Sequence, residues 1–67
     1  MKNNIKIERA RNNMTQADLA KCVGVSRQSI NAIELGKYNL STILALKIAT
    51  VFKMEFDELF SLEKEDW

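Results

Sequence analysis

Histidine and proline are absent from the 67-residue chain, and cysteine occurs only once. Without histidine, a single thiol cannot supply the clustered ligands of a zinc site, and Cys22 cannot form an internal disulfide. The chain also lacks a glycine-rich phosphate loop, and its acidic residues lie on a polar tail instead of converging on a pocket. The sequence therefore predicts a protein that is not an enzyme, binds no metal or other cofactor, and has no evident small-molecule ligand.

Long apolar runs are also missing. The N-terminal stretch MKNNIKIERAR has no apolar segment of the kind that secretion signals carry, and the most apolar stretch, residues 43–52, is short and contains Lys47. These features predict a cytoplasmic protein that does not contact the membrane. A lone cysteine fits a reducing compartment, and we interpret Cys22 as a small residue on a helix surface in preference to a redox sensor.

Charge is divided unevenly along the chain. Residues 1–53 hold nine Lys or Arg against three acids, a net charge of +6, whereas residues 54–67 hold one Lys against six acids, a net charge of −5. A basic body favours a polyanionic partner, and the acidic, partly apolar tail favours a polar strand or an intermolecular contact. Charge segregation in so short a chain also arises by chance, so the pattern needs support from motifs.

Apolar spacing and capping residues predict five helices in one small all-α domain spanning residues 1–67. The first carries Ile7 and Ala10 on one side. The second begins after Thr15, where Asp18 completes a capping box, and ends at Gly24. The third begins after Ser26. The predicted helices cover residues 5–12, 16–22, 27–34, 42–52 and 56–60. In the fourth, residues 44, 45, 48, 49, 51 and 52 form a buried stripe that Ile43 and Leu46 widen. In the fifth, Phe56, Leu59 and Phe60 face inward.

The second helix, the Val-Gly-Val turn and the third helix have the lengths and the glycine position of a helix-turn-helix, over about residues 15–35. Ile30 and Ile33 lie three residues apart and define the core side of the third helix. The opposite side then carries Gln28, Asn31, Ala32 and Leu35, with Arg27 on its flank. Outward polar side chains are ordinarily just solvated.

The residue types favour a more specific interpretation. Gln and Asn can bridge N6 and N7 of adenine, and Arg can bridge O6 and N7 of guanine. Gln16, at the start of the second helix, could meet a phosphate, or it could be an ordinary helix-start residue. The loop after the third helix could contact the DNA backbone or could simply be solvated. Its polar residues are Lys37, Tyr38 and Asn39.

Several motifs in this order and spacing resemble the Cro/CI-type helix-turn-helix family, also called XRE-type transcriptional regulators. The resemblance covers roughly residues 5 to 60. Any one of the motifs alone would be common, and the specificity lies in their succession. They are MTQADLA at 14–20, VGVSRQSI at 23–30, IE at 33–34, GKYN at 36–39, LKIA at 46–49 and DELF at 57–60.

The resemblance implies a five-helix, lambda-repressor-like DNA-binding domain that acts as a dimer on a palindromic operator. It implies that Arg9 of the first helix pairs with Glu34, an ion pair that fixes orientation more than it adds stability. Short members can also add a small two-stranded β-ribbon from residues 1–5 and 60–66. The candidate base contacts are Arg27, Gln28, Asn31 and Ala32, and the candidate phosphate contacts are Gln16, Ser26, Lys37, Tyr38 and Asn39.

The chain departs from the family pattern at four positions. Leu40 stands where a proline usually precedes the fourth helix, Lys53 where a glycine usually precedes the fifth, and Glu55 is the polar cap of the fifth. Ala32 is too short to hydrogen-bond a base and can offer only methyl contact with thymine, so direct readout narrows to Arg27, Gln28 and Asn31.

A domain of this size contacts little DNA, so specificity usually comes from two-fold dimers. Apolar residues outside the expected core, and apolar residues near or in the acidic tail at 61–67, are the candidates for a homodimer interface. They are Leu40, Ile43, Phe60, Leu62 and Trp67. An alternative for Phe60 and Leu40 is that they close the monomer core.

The leading function is a sequence-specific regulator of transcription that binds double-stranded DNA, most simply a repressor. The alternative is an antitoxin-like interaction module with autoregulatory DNA binding.

Overall fold

The computed structural model describes residues 1–37 and 40–67, which form a helical domain closed by a small antiparallel ribbon. The all-α prediction and the terminal ribbon are both confirmed. The helices are α1 (Ile5–Arg11), α2 (Gln16–Val23), α3 (Arg27–Glu34), α4 (Thr42–Val51) and α5 (Phe56–Leu59). The strands are β1 (Lys2–Asn3) and β2 (Phe60–Ser61), and a short 3-10 turn, Lys64–Asp66, follows. Tyr38 and Asn39, two of the candidate phosphate contacts, lie outside the described residues.

Local side-chain chemistry sets the start of α2 and α3. The Thr15 hydroxyl accepts a hydrogen bond from the Asp18 amide at 3.0 Å, and the Asp18 carboxylate accepts one from the Thr15 amide at 2.9 Å. Gly24 ends α2 with φ of 77°, a left-handed conformation that glycine adopts without a Cβ penalty. Ser26 then accepts from the Ser29 amide at 3.1 Å and starts α3. The turn between the two helices is therefore encoded residue by residue.

The core takes side chains from all five helices. Ile5, Leu19, Ile30, Ile48 and Leu59 are fully buried. The prediction for α1 needs correction, because Ile7 is 53% exposed and Ala10 is exposed, whereas Ile5 and Glu8 face inward. Arg9 must face α3 to reach Glu34, and Ile5, one helical turn before it, then shares the inward side.

Helix α4 buries a narrower stripe than its composition suggests. Leu44, Ala45, Ile48 and Ala49 face the core, as predicted. Ile43 and Leu46, expected to widen that stripe, are instead 71% and 52% exposed. Residues 43, 46, 47 and 50 share the opposite side of the helix, and that side lines an open groove beside α2 instead of packing into the core.

The β-ribbon pairs the two ends of the chain within one molecule. Lys2 lies opposite Ser61, and Asn3 opposite Phe60. The Asn3 side chain donates to the Ile33 carbonyl at 2.9 Å, which connects the ribbon to the end of α3. Phe60 is only 3% exposed. The prediction that Phe60 contacts a partner subunit is therefore corrected. Phe60 pairs with β1, and its ring is buried in the monomer core.

Arg9 and Glu34 form a bidentate ion pair that joins α1 to α3. Arg9 Nε donates to Glu34 Oε2 at 2.6 Å and Nη2 donates to Oε1 at 3.0 Å. The third nitrogen, Nη1, donates to the Met14 carbonyl at 3.0 Å, so the pair also holds the loop before α2. The side chains of Arg9 and Glu34 are 13% and 7% exposed. Planar, parallel hydrogen bonds of this kind restrict rotation of one helix against the other.

The Glu34 carboxyl stays ionised in this environment. Burial alone would raise its pKa, but hydrogen bonds from Arg9 and Gln16, with the charge of Arg9, outweigh burial and hold the pKa below the ordinary value of 4.5. A carboxyl whose pKa is lower in the folded protein stabilises the fold above its unfolded-state pKa. That stabilisation disappears as the pH falls through the folded-state pKa.

We expect Glu34→Gln to lower the free energy of unfolding at pH 7 by about 2–3 kcal/mol. This is less than for a fully buried pair because Gln keeps one acceptor oxygen and the site is partly exposed. Near pH 3 the difference from the unaltered protein should shrink. The carboxyl of Asp18, whose pKa is lowered by the backbone hydrogen bond from Thr15, titrates equally in both proteins. Urea unfolding at the two pH values measures this, with the exposed Glu65→Gln as the control. An unchanged difference at pH 3 would contradict the assignment.

Lys53 follows α4 with φ of 55°, in the left-handed region that the family usually fills with glycine. Its amide donates to the Thr50 carbonyl at 3.1 Å, and the Met54 amide donates to the Ala49 carbonyl at 3.0 Å. These two hydrogen bonds close the C-terminal end of α4. They form together only when residue 53 adopts the left-handed conformation. A lysine there pays a steric cost that glycine avoids.

We expect Lys53→Gly to raise the free energy of unfolding by about 0.5–1 kcal/mol. The left-handed conformation costs a non-glycine residue about 1–2 kcal/mol, and the greater freedom of glycine in the unfolded chain cancels part of the gain. The matched control is Lys47→Gly in the middle of α4, which should lose about 1 kcal/mol. Thermal unfolding of both variants gives the comparison. A loss at both positions would show that the backbone at Lys53 is unstrained.

Candidate nucleic-acid interface

The outward side of α3 presents polar side chains in a row. Ile30 and Ile33 are buried and hold the opposite side against the core. Arg27, Gln28 and Asn31 are exposed, which is the orientation expected from the sequence. Ala32, the fourth candidate base contact, is half-buried. The three polar residues occupy the N-terminal half and the middle of the helix, where a helix lying in the major groove can reach base edges.

The start of α2 lies beside the same surface. Gln16 shares a shallow concavity with Arg27, Gln28 and Asn31, and a neighbouring concavity extends from Arg27 past Gln16 to Thr15 and Met14. The structure therefore brings Gln16 together with the three candidate base contacts. We call the surface formed by Gln16, Arg27, Gln28 and Asn31 the α3 surface.

Gln16 is hydrogen-bonded within this surface. Its Nε2 donates to Asn31 Oδ1 at 3.1 Å and to Glu34 Oε1 at 3.2 Å. No local sequence pattern predicts these contacts, because they span 15 and 18 residues and depend on how α2 crosses α3. They connect a candidate base contact, through Gln16, to the Arg9–Glu34 ion pair.

The remaining candidate phosphate contacts lie at the two ends of α3. Ser26 is exposed at the start, where its hydroxyl caps the helix and lies 3.0 Å from the Ser29 hydroxyl. Lys37 is exposed just beyond the end, after Gly36 turns the chain with φ of 72°. A cation beyond the last turn of a groove-bound helix is well placed for a backbone phosphate.

Glu34 adds little negative charge to the α3 surface. It is almost completely buried behind Gln16, and both of its oxygens accept hydrogen bonds from the Arg9 guanidinium. A compensated carboxylate repels an approaching polyanion far less than an exposed one. Arg27 and Lys37, in contrast, are exposed cations on or next to α3.

A second surface, on α4, is apolar. An open groove between α2 and α4 is lined by the exposed Ile43 and Leu46, with Cys22, Lys47 and Val51 around them. Cys22 lies exposed on α2, as interpreted from the sequence. Of the other dimer candidates, Leu62 and Trp67 are exposed, and Leu40 is half-buried against the core.

Residues 1–37 and 40–67 contain no group of three or more His, Cys, Asp or Glu side chains that could hold a metal ion. Within the same ranges, none of the helices has the length and apolar character needed to cross a membrane.

The comparison with known proteins agrees with this geometry. The family model for helix-turn-helix domains matches residues 5–59. An HTH-type transcriptional regulator of Methanocaldococcus jannaschii is 52% identical over 66 residues, covering 98% of this chain and 100% of the relative. The HTH-type transcriptional regulator YgzD of Bacillus subtilis is 47% identical, with coverage of 98% and 100%.

A solved structure shares the fold. The crystal structure of the restriction-modification controller protein C.AhdI from Aeromonas hydrophila superimposes with a TM-score of 0.76 and 32% identity, covering 84% of this chain and 85% of that one. The exposed polar side of α3, the family match over most of the chain and these relatives lead to one conclusion. The chain belongs to the XRE-type helix-turn-helix family and is a DNA-binding transcriptional regulator.

Proposed function

We propose that the protein is a repressor that binds a palindromic operator as a homodimer, with α3 of each subunit in the major groove. One observation carries the proposal. Arg27, Gln28 and Asn31 are exposed together on one side of α3, while Ile30 and Ile33 anchor the other side. A rigid helix that presents three side chains able to hydrogen-bond base edges is suited to direct readout. A repressor is the simplest regulator, because occupying the operator is enough for its action.

Each residue of the α3 surface has a role that follows from its chemistry. Arg27 can donate two parallel hydrogen bonds to O6 and N7 of guanine, and Gln28 can bridge N6 and N7 of adenine. Ala32 can contribute methyl contact with thymine. Asn31 lies one turn beyond Arg27 and reads a neighbouring base pair. Together they would read a few base pairs, which is a half-site.

Phosphate contacts would hold α3 in register. Lys37 and Ser26 lie at opposite ends of the helix and are exposed. Tyr38 and Asn39 follow Lys37 in the chain and are proposed as further backbone contacts on the family resemblance alone. Contacts of this kind supply affinity that depends steeply on salt but carry no sequence information.

A homodimer would supply the second half-site. The exposed apolar side chains of α4, Ile43 and Leu46, form a patch of the kind that marks protein interfaces, and Leu62 and Trp67 add exposed apolar area in the tail. Leu40 lies next to α4 and is half-buried. The same α4 patch is what an antitoxin-like module would use to hold a different protein, so it also supports that second candidate function.

Selection of bound fragments from genomic DNA should return a palindrome whose half-sites are about 34 Å apart, one helical turn. On that operator, we expect Gln28→Ala to lose about 1–3 kcal/mol of binding free energy and to relax the preference at one base pair per half-site. Lys37→Ala should weaken binding to all sequences and lower the slope of log K against log salt by about 1 per subunit. Fluorescence anisotropy over a salt series measures both effects.

The control for this prediction is Lys64→Ala, which removes an exposed cation from the tail and should leave the salt slope unchanged. Equal weakening by Gln28→Ala on specific and random DNA would rule out base reading by that residue. An operator without two-fold symmetry would rule out the proposed dimer arrangement.

We expect Ile43→Lys to convert the dimer to a monomer, because the charge would be buried against apolar surface in the interface. Ile7→Lys is the matched control, since Ile7 is a similarly exposed isoleucine on α1. Light scattering after size exclusion measures the mass of each variant, and operator binding should weaken only for Ile43→Lys. A dimer that survives Ile43→Lys places the interface elsewhere, and a stoichiometric non-self partner in the purified protein would favour the interaction module.

A further inference from the structure

We infer that Gln16 is a positioning residue that determines which end of the Asn31 amide faces the DNA. This inference rests on the proposed function, in which α3 lies in the major groove. It goes further by assigning a chemical class of base to one position of the operator and by giving Gln16 a role other than phosphate contact. The observations are the two hydrogen bonds from Gln16 Nε2, at 3.1 Å to Asn31 and 3.2 Å to Glu34.

The orientation of Gln16 follows from Glu34. An ionised carboxylate has only acceptors, so a neighbouring amide must turn its NH2 group toward it. Glu34 is held in place and ionised by two hydrogen bonds from Arg9. Turning the Gln16 amide by 180° would bring its own oxygen against Glu34 Oε1 and lose a charge-assisted hydrogen bond. Gln16 Nε2 is therefore fixed toward α3.

The orientation of Asn31 follows from Gln16. An amide NH2 group has two hydrogens, and after Glu34 takes one, the second needs an acceptor. Asn31 supplies Oδ1. Its Nδ2 group, at the other end of the same amide, then faces away from Gln16, and Asn31 itself is exposed and lines the concavity of the α3 surface. The acceptor oxygen of Glu34 therefore orients the Gln16 amide, and the Gln16 amide orients that of Asn31. The result is a hydrogen-bond donor that faces outward.

An outward donor discriminates among bases. In the major groove, guanine, adenine and thymine each present at least one acceptor, whereas cytosine presents only its N4 amino donor. Two donors facing each other cannot hydrogen-bond, and both lose their water. Cytosine is thus excluded at the base that Asn31 meets. Gln16 Nε2 already donates both of its hydrogens, to Glu34 and Asn31. In this arrangement it cannot also donate a hydrogen bond to a phosphate.

The first experiment compares four operators that differ only at the base pair whose preference disappears in Asn31→Ala. For the unaltered protein, cytosine at that base should bind about tenfold more weakly than the best base. Gln16→Met keeps the length of the side chain but removes both donors. It should reduce this discrimination to within about twofold and leave the preference at the Arg27 and Gln28 positions intact. Thermal unfolding checks that the variant is folded.

A second variant tests the polarity directly. Asn31→Asp has the same shape but only acceptors, so residue 31 should keep its hydrogen bond from Gln16 Nε2 and present an oxygen to the DNA in place of Nδ2. The added charge will weaken binding to every operator, but the preference among the four should shift toward cytosine and adenine, the two bases whose amino groups donate in the major groove. A residue that merely supported the fold would not shift a base preference in this way.

A double-mutant cycle separates coupling from independent effects. Gln16→Met should cause no further loss of base discrimination in the Asn31→Ala background and should be additive with Gln28→Ala, the matched control. Uniform weakening by Gln16→Met with cytosine still excluded would overturn the inference in favour of a phosphate contact. So would an Asn31→Ala variant that keeps every base preference. Failure of the proposed function would look different, because the unaltered protein would then show no sequence preference at all.

Discussion

The bidentate pair between Arg9 and Glu34 is the interaction on which the functional geometry depends. Apolar contacts through Ile30 and Ile33 hold α3 against the core, but packing alone tolerates rotation about the helix axis more readily than hydrogen bonds do. The two parallel bonds from Arg9 remove that freedom, and the third, to the Met14 carbonyl, brings the start of α2 into the same arrangement. One guanidinium thus sets the relation of α1, α2 and α3.

A partly buried ion pair is a costly way to obtain stability, since desolvation offsets much of the attraction. Here it serves a second purpose. A helix that approaches a polyanion would ordinarily avoid a carboxylate, yet Glu34 lies directly behind the α3 surface. Because the charge of Arg9 compensates its own and its side chain is almost fully buried, Glu34 repels phosphate only weakly and acts as a fixed hydrogen-bond acceptor. The side chains in front of it, Gln16 and then Asn31, take their orientation from that acceptor.

The parts of the fold that depend on local chemistry were predictable from the sequence. Thr15, Ser26 and Ser41 begin helices through their own hydroxyls, and Gly24 ends one through its backbone freedom, so a few neighbouring residues suffice. Helix α4 was harder, because seven of its ten residues are apolar and no periodic contrast distinguishes its buried side. The outward position of Ile43 becomes evident only when the other helices are in place. The ribbon was suggested by resemblance, and nothing in the residues 2–3 and 60–61 alone would have paired them.

The candidate site divides in the same way. Ile30 and Ile33 sufficed to predict which side of α3 is outward, since both sides belong to one helix. The bonds from Gln16 were out of reach, because they join side chains of two helices whose crossing angle no local pattern encodes. Their consequence reaches beyond α3. If Asn31 takes its polarity from Gln16, then recognition by α3 cannot be inferred from α3 alone, and a substitution in α2 or even at Arg9 can alter which bases are accepted. Comparing operators across relatives by the residues of α3 alone would then group together proteins that read different DNA.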